Sequence, residues 1–73
     1  MESKLKQIMS NLFGIKEDKV EESSMDTIED WDSLRHLSLI IAIEEHFSIS
    51  LNEDEVNEMT NYPNIKRILR NKV

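Results

Sequence analysis

Asp32, Ser33 and His36 place a carboxylate, a hydroxyl and an imidazole within five consecutive positions. A hydrolytic triad uses those three groups, but it also needs a glycine-containing turn at the nucleophile and a separate oxyanion-hole loop. Neither is evident around Ser33, which is followed by the apolar-rich stretch LRHLSLII. Asp and Ser are residue types that open helices, because their side-chain oxygens accept hydrogen bonds from the unpaired N–H groups of the first turn. A serine at or just inside such a start can turn its hydroxyl to solvent. A phosphate ester formed there would lie beside unpaired backbone N–H groups and the positive end of the helix dipole. Asp32-Ser33 therefore reads as a helix cap, and Ser33 also suits covalent attachment through phosphate.

The remaining candidates are weaker. His36 and His46 are ten positions apart with no matching ligand spacing, which argues against zinc. The acidic EDEVNE lacks the alternation and central glycine of a calcium loop and reads as a solvated face. One imidazole is an incomplete site for metal or acid/base work, so His36 is expected half-buried and bonded to a neighbouring carbonyl. Trp31 is expected to anchor the core or a loop, with contact to a partner as its functional alternative. The chain has no cysteine, hence no disulfide framework or thiolate metal site. Fifteen acidic against nine basic residues give a net charge of −6, which disfavours nucleic acid and anionic membranes and favours a partner with a basic patch. MESKLKQIMSNLF lacks the apolar run of a signal peptide or membrane span. A cytoplasmic protein without membrane insertion is expected, working as a monomer.

These residues need a scaffold, and 73 residues suffice for a single domain over 1–73. One Gly, one Pro and abundant Leu, Ile, Glu and Lys point to an all-α fold. Leu5, Ile8, Met9, Leu12 and Phe13 recur on one face of a first helix, with Ser3 as its expected cap and Gly14 as its stop. Residues 15 to 31 show no sustained period and read as a long loop, which Ile15, Val20, Met25, Ile28 and Trp31 could pin to the core. On a helical wheel, the apolar residues of the second helix split into two groups. Leu39, Ile40, Ile43 and Phe47 lie within about 100°, and Leu34, Leu37 and Ile41 within about 60° on another side. The larger arc suits the core; the second must be covered by another element or a partner. EDEVNEM reads as a short third helix touching the core through Val56 and Met59. Asn61 is expected to cap a fourth, with Tyr62 and Pro63 in its first turn and Tyr62, Ile65 and Leu69 recurring along one face with Ile68 beside it. Met9, Met25 and Met59 are expected to fill core gaps.

The chain resembles the acyl carrier proteins and their peptidyl carrier relatives. The resemblance rests on DSL at residues 32 to 34, IEEHF at 43 to 47, FGI at 13 to 15 ahead of a long loop with Val20, and MTNYPNI at 59 to 65. These follow in family order and spacing over nearly the whole chain. The resemblance implies a small four-helix bundle with a long loop between helices 1 and 2 and a short third helix. It implies that Ser33 carries 4′-phosphopantetheine, donated by coenzyme A through a phosphopantetheinyl transferase. The arm would hold acyl intermediates as thioesters, and the carrier itself would not be an enzyme. The second helix would dock the partner enzymes (a loading ligase, synthase or acyltransferase) through Asp32, Leu34, Arg35, Leu37, Ser38, Ile41, Glu44 and Glu45. His36 would stand near the mouth of the family's acyl pocket, where it could tune the cargo. Carriers of bulk fatty acid synthesis usually have acidic residues where this chain has Arg35 and Ser38, and Gly-Ala where it has Asp30 and Trp31. A specialised carrier is therefore expected. The alternatives are an aminoacyl or peptidyl carrier and, outside the family, a small helical adaptor in which Ser33 is only a cap.

Overall fold

Helix α1, Glu2–Phe13, buries Leu5, Ile8, Met9 and Phe13 along one side, as their spacing predicts. The computed structural model describes residues 2–73, and Ser3, expected as the cap, lies inside this helix. The helix starts earlier because Glu2 is held by the last helix, 2.9 Å from Lys66 and 3.7 Å from Arg70. Its negative charge also complements the first turn. Gly14 ends α1 at φ 65, and the Ile15 N–H donates back to the Ser10 carbonyl at 3.2 Å. That six-to-one bond requires a left-handed residue, which glycine supplies without steric cost.

Residues 15 to 31 are more ordered than a long loop. A 3-10 helix, Glu17–Glu22, occupies the first half, anchored by the fully buried Val20. The N–H and hydroxyl of Ser23 both donate to the Val20 carbonyl, at 3.0 and 2.6 Å. A short 3-10 segment with a single buried residue has no apolar period to detect, which is why the pattern conceals it. Beyond it, Ser24 and Asn61 form an isolated antiparallel bridge. The Met25 N–H donates to the Thr60 carbonyl at 2.9 Å, and the Tyr62 N–H to the Ser23 carbonyl at 3.1 Å. Ile15, Val20, Ile28 and Trp31 join the core, as expected. Met25 does not, because the bridge leaves its side chain at the surface, 37% exposed.

Helix α2, Ser33–Phe47, buries Leu39, Ile40 and Ile43, with Phe47 packed partly against them. It ends on Ser48 at φ 55, where the Ile49 N–H reaches the Glu44 carbonyl at 3.2 Å. This repeats the cap of α1 without a glycine. Helix α3, Glu53–Glu58, opens with a capping box: Asn52 accepts the Glu55 N–H at 2.8 Å and Glu55 accepts the Asn52 N–H at 3.0 Å. Helix α4, Tyr62–Arg70, is capped by Asn61, which accepts the Asn64 N–H at 2.9 Å, and buries Tyr62, Ile65, Ile68 and Leu69. The core joins these faces with Val20, Trp31 and Met59, and the fold is an all-helical bundle.

Candidate functional site

Asp32 has extended backbone angles and its carboxylate accepts the Arg35 N–H at 2.8 Å, while its carbonyl accepts the His36 N–H at 2.8 Å. It is therefore the cap, and Ser33 is the first helical residue. The N–H groups of Ser33 and Leu34 belong to the turn that has no intrahelical acceptor. Ser33 is exposed beside them. An anionic group on its oxygen would meet those donors and the positive end of α2.

Trp31 connects this turn to the rest of the molecule. Its ring packs on Phe13 with centroids 4.7 Å apart, and its indole Nε1–H donates to Nδ1 of His36 at 3.0 Å. An indole nitrogen can only donate, so Nδ1 must be the acceptor and the imidazole proton must sit on Nε2. From there it is donated to the Val56 carbonyl at 2.8 Å. His36 is half-buried and bonded to a carbonyl, as the sequence suggests, and the indole is a partner that the sequence does not disclose. Both ring nitrogens are occupied and neither bonds Ser33. The Asp32 carboxylate is turned to the Arg35 N–H. The three residues that could be mistaken for a triad are thus adjacent but not wired as one.

Ser33, His36 and Leu37 on α2 face Val56 and Asn57 on α3 across an open cleft of about 390 Å³, closed at one side by Met25 and Thr60. Leu34, Leu37 and Ile41 stay 72%, 57% and 55% exposed, so among the described residues no element covers the second apolar arc. Of the polar residues on α2, Ser38 and Glu45 are exposed, whereas Glu44 is half-buried and accepts the Leu51 N–H at 2.9 Å. Arg35 sends Nη1 to the Leu12 carbonyl at 2.6 Å, joining the end of α1 to the start of α2. The exposed acid near Ser33 lies before α2 rather than along it, on Asp26, Glu29, Asp30 and Asp32. On the α3 side, the Asn52 N–H and then Lys72, 3.0 Å away, hold the Glu55 carboxyl below its ordinary range.

His46 is far from this cleft. It lines a groove between α1 and α2, so the two histidines do not converge. Sequence reasoning missed Met25, Asn57 and Thr60 as cleft residues. Met25 and Thr60 meet through the Ser24–Asn61 bridge, which pairs segments 37 positions apart (61 − 24) and leaves no local signal.

No family model matches the chain. Among curated proteins it is similar to the acyl carrier protein of Buchnera aphidicola subsp. Baizongia pistaciae (strain Bp), with 33% identity over 72 residues. The alignment covers 96% of this chain and 91% of that protein.

Proposed function

The chain belongs to the acyl carrier protein family, and from that premise we propose that it holds acyl intermediates as thioesters on a 4′-phosphopantetheine arm joined to Ser33. The observation that carries the reading is the exposed Ser33 hydroxyl at the first position of α2, directly after a cap that leaves two N–H groups free beside it. When bound, the arm supplies a thiol, the one group this cysteine-free chain lacks for thioester chemistry. Ser33 provides the anchoring oxygen, the Ser33 and Leu34 N–H groups stabilise the phosphodiester charge, and Asp32 keeps the turn rigid through the Arg35 N–H. With both ring nitrogens engaged by Trp31 and the Val56 carbonyl, the His36 imidazole is not available to Ser33 as a general base. Modification then falls to a separate phosphopantetheinyl transferase, with coenzyme A as donor.

Partner enzymes dock on the arc of Leu34, Leu37 and Ile41, rimmed by Ser38 and Glu45. The acidic loop before α2 supports a basic patch on those partners. Arg35 and Ser38 stand where bulk fatty acid carriers are acidic, and Arg35 is drawn towards α1. We therefore assign a specialised carrier, a monomeric single domain in the cytoplasm served by its own ligase, synthase or acyltransferase. Among the described residues no helix is long and apolar enough to cross a membrane.

The test is mass spectrometry after incubation with coenzyme A, magnesium and a promiscuous transferase. Wild type gains one arm and Ser33→Ala gains none. An unchanged wild-type mass, or a gain that persists in Ser33→Ala, overturns the reading. Subsequent loading by an amino-acid-adenylating enzyme alone would move the assignment to an aminoacyl carrier.

A further inference from the structure

In the cleft beside Ser33, the imidazole of His36 forms part of the lining. On its other side the same ring accepts the indole N–H of Trp31 at 3.0 Å, and Trp31 is 3% exposed and packed on Phe13 in the core. The ring therefore stands between the cleft and the core. Leu39 and Ile40, three and four residues on along the same side of α2, are buried, as is Met59 at the end of α3, and none of them lines the cleft.

Two bonds hold the ring in that place. Besides the indole bond, Nε2–H donates to the Val56 carbonyl at 2.8 Å, and among the described residues this is the hydrogen bond that joins α2 directly to α3. Turning the imidazole aside would leave the indole N–H of a buried tryptophan without its acceptor and the Val56 carbonyl without its donor. An alkyl chain entering the same place has neither donor nor acceptor to give in return. On the outer side of the ring the cleft offers Met25, Leu37 and Val56 as apolar surface and Asn57 and Thr60 as polar groups.

We propose, on the carrier reading of Ser33, that His36 is a specificity-determining residue for the cargo. Its bonds to Trp31 and Val56 shut the cleft off from the core, so the carrier holds short acyl groups in the open cleft and gives no burial to longer ones. A short group gains contact with Met25, Leu37 and Val56. Methylenes beyond the length of the cleft gain nothing from the interior and stay in water. Each methylene transferred into an apolar interior would otherwise favour the loaded, folded state about fourfold.

The test needs no transferase, so its failure is distinct from a failure of Ser33 to take up an arm. Because the chain has no cysteine, Ser33→Cys supplies a single thiol, which hexyl, octyl and decyl methanethiosulfonate convert to alkyl disulfides. His36 lies about 4.5 Å along α2 from that position, within reach of the longer chains. With His36 in place, the folding equilibrium constant from urea unfolding is expected to differ by less than about twofold between hexyl and decyl, and the ¹⁵N indole resonance of Trp31 should be the same in both. Shifts should gather at Met25, Leu37, Asn57 and Thr60. Adding His36→Ala should make the constant rise with chain length and move the Trp31 resonance, a change in slope that a general loss of stability would not produce. The first comparison stands without that variant, should His36→Ala fail to fold. A steady gain of about fourfold per methylene with His36 present, or a Trp31 resonance that moves with chain length, would overturn the proposal. So would a flat response in a folded His36→Ala protein, or shifts confined to Leu34 and Ile41, which would place the chain on the outer arc of α2.

Discussion

Helices α3 and α4 open in the same way, each on an asparagine whose side chain accepts a backbone N–H three residues on, yet they are held by different forces. Helix α4 buries Tyr62, Ile65, Ile68 and Leu69. The six residues of α3 include none that is buried, and Val56 only leans on the core. What holds α3 is polar: the capping box, the His36 bond to the Val56 carbonyl, and Lys72, which reaches both Glu55 at 3.0 Å and the Ser50 carbonyl at 2.9 Å. Apolar burial is non-directional and resists small displacements, whereas a few polar tethers can open singly. The weakly buried helix is the one that walls the cleft beside Ser33. Hydrogen exchange is therefore expected to open α3, which walls this cleft, before α4.

The largest effect should come from the core side of this contrast. Leu69→Ala is expected to lose about 3 kcal/mol in urea unfolding, because it leaves a cavity at a fully buried site, whereas Val56→Ala should lose about 1 kcal/mol. Equal losses would break the distinction between the two helices.

Next in size is the tether. His36→Leu strands the Trp31 indole N–H and frees the Val56 carbonyl, at a cost of about 1–2 kcal/mol. Hydrogen exchange should then quicken in α3 and remain unchanged in α4. Uniform acceleration would mean that His36 supports the whole bundle rather than one helix. In the wild type, ring ¹⁵N shifts should report the neutral form with its proton on Nε2.

The smallest effect is electrostatic. Glu55 is lowered by the Asn52 N–H and by Lys72, and Glu2, at the α4 end, chiefly by its hydrogen bond from Lys66. A carboxyl with a depressed folded value adds stability above its ordinary value of 4.5, and this is lost as pH falls through the folded value. Because these carboxyls lie at the surface, the urea midpoint should fall only slightly from about pH 6 to about pH 3, and salt should mute the change. Exchange in α3 should respond before exchange in α4, which keeps its apolar contacts after its ion pairs are lost.

Legibility of the sequence followed the same division. The faces of α1 and α4, the two arcs of α2 and the caps Asp32 and Asn61 could be read directly, since each rests on spacing within a few residues. The 3-10 helix could not, because Val20 alone makes no pattern. The start of α1 could not either, since Glu2 takes its place by bonding to Lys66 and Arg70 at the other end of the chain. In the site, the pair Asp32-Ser33 is legible as a helix start, whereas the attachment role of Ser33 comes from the family resemblance and not from the pair itself. Met25 was expected in the core and emerged at the cleft, because a bridge to Asn61 decided its direction.

The sequence by itself determined a helical chain, a serine at the first turn of its second helix, and a surplus apolar arc that its own core does not use. The tertiary structure alone decided what His36 and Arg35 do. One joins Trp31 to α3 and the other joins α1 to α2, through backbone carbonyls 20 and 23 positions away. Carbonyls are present at every residue, so no side-chain pattern can announce which of them will be met.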